Sequence, residues 1–467
     1  MEEKMNEFSN QKRGGFTGKI GFVLSAAGSA VGLGNLWRFP YLTAEYGGGI
    51  FILTYIILTV FFGLSLLMLE VGIGRYTGKS VIGAFTKLNK KFKWFGYLCV
   101  IVPLLVVPYY CVIGGWVLKY GWSFIVGSEG LLGSGVDTGA FFGGFISSTF
   151  EPLVFFLIFA LVTVVIVVFG VQKGIERMSK ILMPALAVIA VFLMIYVLCL
   201  NGSGDGAKFT LLPDFSKFSF KTVLGALGQM FYSLSIGMCI MITYGSYMKK
   251  NVSIKSSSLQ IAICDSVFAI IASLIIIPSV FVFAGSNAEA EAILGNNGPN
   301  LMFVQLTQVF NSIPGGRLFG SIFFILVLFA AVTSSVSLVE SIVAVLCEDD
   351  KMKRGPACAI VFSVILILGS LSSLGFGVLS GVSIAGNSIL DMFDLLSNNI
   401  LLPIVGIMTC VIVGWFVDKK IIPKEIGIDK NKTLRTAFNV ITKYIAPIVI
   451  FLVLVTGLLD MFGVLSI

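Results

Sequence analysis

The first apolar stretch of the chain contains residues that are unusual in a membrane-spanning helix. The segment from Gly28 to Tyr41 reads GSAVGLGNLWRFPY and holds three glycines together with Asn35 and Arg38. Because unpaired backbone groups are costly in hydrocarbon, an interrupted helix persists at membrane depth only where it lines a cavity or binds a ligand. Freed carbonyl groups bind a cation, and freed N–H groups bind a carboxylate. The segment therefore predicts a site for ions and carboxylates.

A second apolar stretch is interrupted in the same manner. Residues 228–238 read GQMFYSLSIGM, which places Tyr232, Ser233 and Ser235 within a run of apolar and small residues. Paired interruptions at corresponding positions of two halves are typical of inverted-repeat transporters, whose binding site lies near the bilayer midplane. The two stretches together therefore predict a binding site at the midplane.

Two further apolar stretches carry polar side chains that could serve this site. An ionised carboxylate at the centre of a membrane helix costs ~2.5–3.5 kcal/mol, so Asp265 is a candidate functional group, either charged or kept protonated by burial. The hydroxyl groups of Thr333, Ser334 and Ser335 could bind a cation or bond to carbonyl groups of their own helix. The residues alone leave both alternatives open.

The rest of the chain must form the helices that hold these residues at membrane depth. Of its 467 residues, 57% are hydrophobic and 12% are charged, which is more apolar surface than one soluble core could bury. Eleven apolar stretches are long enough to cross a bilayer, at ~20 residues per crossing. The sequence therefore predicts an all-α polytopic membrane protein with eleven transmembrane helices.

The two interruptions divide the chain into repeats. Helices 1 and 6 are predicted to be broken, and each begins a set of five helices in a five-plus-five inverted repeat, with helix 11 as one extra C-terminal helix. The predicted segments are a cytoplasmic N-terminal segment (1–15), the first repeat (16–200), the second repeat (201–416), a cytoplasmic loop (417–440) and helix 11 (441–467).

The placement of charge predicts the orientation. Of the 32 Lys and Arg residues, 26 fall in the N-terminal segment and in alternate connections between the apolar stretches. The positive-inside rule then places the N-terminus in the cytoplasm and, after eleven crossings of the cytoplasmic membrane, the C-terminus outside. The net charge of +8 belongs to these loops and does not indicate nucleic-acid binding.

The residue types also argue against catalysis. The chain has no histidine, and its eight cysteines show no metal-ligand spacing. An enzyme within the membrane needs a nucleophile with a base, or a metal site. The sequence therefore predicts a binding or transport protein and not an enzyme.

Taken together, the motifs resemble the bacterial amino-acid transporter branch of the neurotransmitter:sodium symporter family. The segments that carry the resemblance are SAVGLGNLWRFPY from Ser29, the pair Tyr109–Tyr110, KGIERMSKILMP from Lys173, YSLS from Tyr232, AAVTSS from Ala330 and LDMFD from Leu390. The resemblance implies sodium-coupled import of an amino acid by alternating access, with two sodium ions. A substrate-gated channel or receptor on the same fold and proton coupling through Asp265 are the alternatives, and the oligomeric state stays open.

The resemblance implies two sodium sites. The first consists of Ala30, Asn35, Ser233 and Asp265 together with the substrate carboxylate, and the second consists of Gly28, Val31, Ala330, Thr333 and Ser334. Many family members carry asparagine in place of Asp265 and bind chloride nearby, so the aspartate predicts chloride-independent transport. A one-residue gap in the comparison would bring Cys264 to that position instead.

An α-amino-acid site is implied as well. Gly32 stands where amine transporters carry an aspartate, so the substrate must supply its own carboxylate. The implied ligands are Leu33, Gly34 and Tyr110 for the carboxylate, carbonyl groups near Ala30 and Tyr232 with Ser235 close by for the ammonium group, and Val106, Tyr232, Met238, Ser334 and Leu338 around the side chain. Ser233 is also counted among the substrate-binding residues. Tyr110 could otherwise be a packing aromatic. Met238 replaces a phenylalanine of some relatives, and its flexible side chain favours a large hydrophobic or aromatic substrate.

The resemblance also extends to residues that form gates of the transport pathway in the family. Arg38 and Asp394 match an outer pair, with Tyr232 as a lid over the ligand. Arg13, Ser246, Tyr247 and Glu348 match an inner network, and Gly174 and Pro184 match an element for local unwinding. Exposed ion pairs contribute only ~0–1 kcal/mol, which suits a latch that opens in every cycle.

Overall fold

The helices of the chain follow the predicted order of apolar stretches. The structure is a computed structural model that describes residues 14–133, 135–284, 286–295, 299–383 and 386–461. We number the helices α1a (Lys19–Ala30), α1b (Gly34–Glu45), α2 (Gly49–Thr77), α3 (Lys90–Val126), α4 (Phe150–Val168), α5 (Val171–Leu198), α6a (Phe220–Ser233), α6b (Ile240–Ser246), α7 (Ile254–Phe283), α8 (Gly316–Leu346), α9 (Arg354–Leu374), α10 (Ile389–Phe416) and α11 (Lys432–Leu459).

The all-α class is confirmed, and the predicted count of eleven spans is compatible with the structure. Within the described residues, nine helices are long and apolar enough to cross a membrane, and the bent pair α1a–α1b makes a tenth. Helices α6a and α6b occupy the position of the second interrupted span, although each is too short to cross alone. Shorter helices such as Thr138–Ser147 and Ser203–Leu211 connect the spans.

Both predicted interruptions are present. The axes of α1a and α1b are bent by 53°, and the helix stops where Val31 turns to an extended conformation (φ −75°, ψ 95°). In the second interruption, Ser235 and Cys239 have φ angles of 54° and 65°, a left-handed conformation that is unfavourable for residues with a Cβ atom. The Gly237 N–H between them donates to Oε1 of buried Glu70 at 2.7 Å, so α2 supports the broken segment.

Helices α2 and α6b approach so closely that only glycine fits at two facing positions. A Cβ atom on Gly74 would lie 1.9 Å from the carbonyl oxygen of Ile242, and one on Gly245 would lie 2.5 Å from that of Val71. Small residues at helix interfaces allow backbones to pack closely in membrane proteins. Helix α6b therefore packs directly against the backbone of α2.

The centre of the bundle is formed by α3 and α8. Of the most apolar 18-residue stretch of each helix, 72% is buried in α3 and 78% in α8, but only 28% in α5 and 22% in α11. Apolar side chains that remain exposed on α5 and α11, such as Val188 and Ile448, suit contact with lipid. The central helices therefore form the scaffold on which the broken helices lie.

Basic connections meet at the end of the bundle that holds residues 14–18. There the Phe16 N–H donates to the Tyr247 carbonyl at 3.1 Å, and Lys79 pairs with Asp349. Arg75 at the end of α2 and Lys250 after α6b both pair with Glu425, at 2.7 and 2.8 Å. We call this end, with the connections 78–89, 247–253, 347–353 and 417–431, the basic end.

Substitution of Gly74 by alanine tests the close contact between α2 and α6b. Because the added Cβ would overlap a backbone carbonyl, we expect Gly74→Ala to destabilise the protein by about 1–3 kcal/mol and lower the apparent unfolding temperature in detergent. Gly355→Ala is the matched control, since a Cβ there meets no atom within 4 Å. Equal unfolding temperatures for the two variants would contradict the contact.

Candidate functional site

A cavity lies between the two helix breaks. It has an empty volume of about 380 Å³, and its walls include all twelve residues expected around a substrate. These are Ala30, Gly32, Leu33, Gly34, Val106, Tyr110, Tyr232, Ser233, Ser235, Met238, Ser334 and Leu338. Asn35 and two residues that the sequence reasoning missed, Ser29 and Ile240, also line it. Ser29 and Ile240 could have been predicted from the sequence, because each lies directly beside one of the two interruptions.

The cavity exists because glycines leave space beside larger side chains. A Cβ on Gly32 would lie 2.7 Å from the Ser334 hydroxyl and 3.2 Å from the Tyr110 hydroxyl, and one on Gly34 would lie 2.6 Å from the Tyr232 ring. The Leu33 N–H donates to the Tyr110 hydroxyl over a long 3.4 Å. Backbone donors of the break and a phenolic hydroxyl thus meet at one wall, where a carboxylate group could bind both.

Asp265 is at the centre of a fully buried hydrogen-bond cluster. Its Oδ1 accepts from Asn35 Nδ2 at 2.8 Å and from Ser233 Oγ at 2.7 Å, and its Oδ2 accepts from the Tyr55 hydroxyl at 2.6 Å. The neighbouring Cys264 is partly exposed and makes none of these bonds, so Asp265 is the residue that joins Asn35 and Ser233. Sequence reasoning missed Tyr55, because a tyrosine within an apolar helix looks like an ordinary core residue.

The residues expected at the second cation site gather where α1a meets α8. The Ser334 Oγ lies 3.3, 3.1 and 3.4 Å from the carbonyl oxygens of Gly28, Ser29 and Val31. Thr333 Oγ1 bonds to the Ala330 carbonyl of its own helix at 3.0 Å. Within the described part of the chain, no group of three or more Cys, Asp and Glu residues could hold a metal. The oxygens that meet at this place are neutral carbonyl and hydroxyl groups, which suit a monovalent hard cation.

A larger cavity adjoins the first on the side opposite the basic end. It has an empty volume of about 1080 Å³, and Tyr110 and Tyr232 line both cavities and separate them. The Arg38 guanidinium lies over the Tyr232 ring, 5.2 Å from its centroid. Both Arg38 and Asp394 line this outer cavity, yet they are not within ion-pair distance, and Asp394 instead accepts from Asn398 Nδ2 at 2.6 Å.

Part of the expected inner network lies within the described residues. The Tyr247 hydroxyl donates to Glu340 Oε1 at 2.7 Å, and Glu340 also pairs with Arg354. Glu348 is buried and accepts from the Ser80 hydroxyl, and Arg13 lies outside the described residues. The sequence did not reveal the partner of Glu340, because the rotation of α8 decides which acidic residue faces α6b.

The other expected inner residues lie in α5 and α6b. Ser246 Oγ donates to the Thr243 carbonyl of its own helix at 2.6 Å. Gly174 lies in a π-helical turn, Val171–Glu176, and Pro184 lies ten residues farther along the same helix. Because π-helical turns and prolines both weaken helical hydrogen bonding, this end of α5 is suited to local unwinding.

Comparison with known proteins agrees with this geometry. The family model described as the sodium:neurotransmitter symporter family matches residues 13–127 and 149–464. An uncharacterised sodium-dependent transporter of Bacillus subtilis is 36% identical, covering 98% of this chain and 100% of the relative. A sodium-dependent transporter of Haemophilus influenzae is 32% identical, covering 96% of this chain and 99% of the relative.

A solved structure is similar over nearly the whole fold. The crystal structure of MhsT in complex with L-phenylalanine has a TM-score of 0.85 and 37% sequence identity, and the match covers 95% of this chain and all of that one. The members of this family are sodium-coupled transporters and not enzymes. The broken helices, the cavity between them and these similarities lead to one conclusion: the chain belongs to the sodium:neurotransmitter symporter family and is a multi-pass, sodium-dependent membrane transporter.

Proposed function

We propose that the protein imports a large hydrophobic or aromatic amino acid together with sodium by alternating access. The cavity between the two breaks carries this proposal, because it combines backbone donors at one wall with the apolar side chains Val106, Met238 and Leu338. The substrate carboxylate binds the Leu33 and Gly34 N–H groups and the Tyr110 hydroxyl. The similarity to MhsT, solved with L-phenylalanine, supports an aromatic substrate.

Two sodium ions accompany the amino acid in this proposal. The first binds beside the substrate carboxylate at Asn35, Ser233 and Asp265, and the second binds between α1a and α8 at Ser334 and Thr333. At an assumed membrane potential of about 100 mV and a tenfold sodium gradient, two sodium ions supply ~7.4 kcal/mol. This free energy supports a ratio of about 10⁵ between the inside and outside substrate concentrations. Chloride is not needed, because Asp265 supplies the negative charge.

The orientation of the protein in the membrane follows from the charges. The basic end faces the cytoplasm by the positive-inside rule, so the outer cavity opens to the outside. Tyr232, which separates the two cavities, acts as the lid, and Arg38 on its outer face holds it in place. In the outward-facing state the substrate thus passes Arg38 and Asp394 before it reaches the breaks.

Uptake into proteoliposomes tests the proposal. With an inward sodium gradient and no chloride, we expect concentrative uptake of radiolabelled tryptophan, tyrosine or leucine, and none when potassium replaces sodium. A channel or receptor would only equilibrate the label or pass none. Uptake driven by a proton gradient without sodium would favour proton coupling through Asp265 and contradict the proposal.

Removal of the Tyr110 hydroxyl tests the carboxylate site. A hydrogen bond to a charged group contributes ~1.5–3 kcal/mol, so Tyr110→Phe is expected to raise the substrate KM by about 10- to 100-fold. Tyr97→Phe is the matched control, since Tyr97 is 54% exposed on the same helix and far from the cavity wall. An unchanged KM in Tyr110→Phe would assign this tyrosine to packing alone.

Substitution of Asp265 tests the source of negative charge. We expect Asp265→Asn to reduce the rate of sodium-driven uptake at least tenfold in chloride-free buffer. Added chloride should restore part of this rate, because a bound anion replaces the missing charge. Asp205→Asn, at an exposed position, should behave as the wild type in both buffers. Chloride dependence of the wild-type protein would show that Asp265 does not have this role.

A further inference from the structure

A third cavity lies at the basic end, between the end of α10 and the beginning of α11. It has an empty volume of about 850 Å³, and its polar lining comprises Trp415, Asp418, Lys419, Asn439, Thr442 and Lys443. None of these residues belongs to the substrate cavity or to either cation site. We call it the α10–α11 pocket.

Two irregular turns shape this pocket. A π-helical turn ends α10 at Ile412–Phe416, and another lies within α11 at Ile441–Ile445. The turns touch closely, since a Cβ on Gly414 would lie 2.9 Å from the Lys443 Cα atom, and Trp415 Nε1 donates to the Lys443 carbonyl at 3.2 Å. π-helical turns are rare and are frequent at functional sites, because they displace side chains from their regular positions.

The pocket carries a net positive charge, because two lysines and one aspartate line it. The Lys443 ammonium lies 4.5 Å from the Trp415 ring centroid and 5.3 Å from the Tyr444 ring centroid, and neither Lys443 nor Lys419 forms an ion pair with any described carboxylate. The one acidic side chain of the wall, Asp418, accepts from the Lys420 backbone N–H at 2.9 Å. The pocket is therefore suited to an anion.

A buried hydroxyl in the same wall lacks a partner. Thr442 is 2% exposed, and its Oγ1 makes no hydrogen bond to any described residue. A threonine in a helix usually bonds to a carbonyl one turn earlier, as Thr456 does farther along α11. An unpaired buried hydroxyl is costly, so a ligand oxygen in the pocket would supply what the protein lacks.

Side chains around the pocket mark the depth of lipid headgroups. Trp415 and Tyr444 are 57% and 49% exposed, and aromatic residues of this kind are enriched where a bilayer meets water. From there the exposed apolar residues Ile448 and Phe451 continue along α11 towards the membrane centre. An anion that binds here would therefore have its polar group in the pocket and an apolar part along α11.

We propose that the α10–α11 pocket binds the headgroup of an anionic phospholipid. Lys419 and Lys443 hold the phosphate, Thr442 and Asn439 donate hydrogen bonds to its oxygens, and the acyl chains lie against Ile448 and Phe451. The continuous apolar strip favours a lipid over free phosphate, and the net positive charge favours an anionic over a zwitterionic headgroup. The site is separate from the transport pathway.

Lipid retention by the full-length protein tests this proposal. Native mass spectrometry of delipidated protein titrated with phosphatidylglycerol should show about fivefold weaker binding in Lys443→Gln and in Lys419→Gln. Lys430→Gln removes the same charge from the same loop outside the pocket and should bind as the wild type does. Thr442→Val, which keeps the side-chain shape, should also weaken binding.

Each alternative gives a distinct result. Displacement of phosphatidylglycerol by millimolar inorganic phosphate would identify a free-phosphate site and overturn the lipid assignment. If the protein bound phosphatidylcholine as tightly as phosphatidylglycerol, the anionic headgroup would not be recognised. If Lys430→Gln and Lys443→Gln lost phosphatidylglycerol binding equally, the lipid would be attracted to the basic surface in general. Either result would overturn the assignment of the pocket. Sodium-driven uptake by the same variants is measured separately, so a failure of the transport proposal does not affect this outcome.

Discussion

The need to satisfy one buried carboxylate organises the centre of this transporter. Asp265 is fully buried in α7, and its bonds reach Asn35 on α1b, Tyr55 on α2 and Ser233 on α6a. A charge or polar group without partners would be costly at this depth, so the four helices can move apart only if some other group replaces those bonds. The cluster thereby ties both broken helices to the same point.

In the proposed orientation, the outer and inner ends of the pathway are closed by different kinds of contact. On the outer side, Tyr110 and Tyr232 lie between the two cavities, and the Arg38 guanidinium lies over the Tyr232 ring. Rotation of these side chains is enough to open this side. On the inner side, Glu340 is shared between Tyr247 and Arg354, and α2, α6b and the loop at Glu425 are joined by ion pairs. In the proposed cycle, opening inward therefore requires α2 and α6b to separate together from α8 and from the loop at Glu425, with the exchange of several polar contacts for water.

The cavity between the two breaks was the most predictable part of the protein. Glycines and polar residues in an apolar stretch have few structural explanations, so Gly32, Asn35 and Ser233 could be assigned to one place before any geometry was known. Tyr55 and the Glu340 pairing were not predictable, because they depend on which way each helix is turned. The family resemblance implied that Arg38 and Asp394 form a pair but could not give the distance between them.

The glycine contact between α2 and α6b has a mechanical consequence. With the Gly74 and Gly245 backbones in direct apposition, neither helix can slide or rotate against the other without a clash, while Glu70 of α2 also holds the broken segment at Gly237. The two helices must travel as one rigid lever. Bending between α6a and this unit is thereby left to residues 234–236, the part of the broken segment that precedes Gly237.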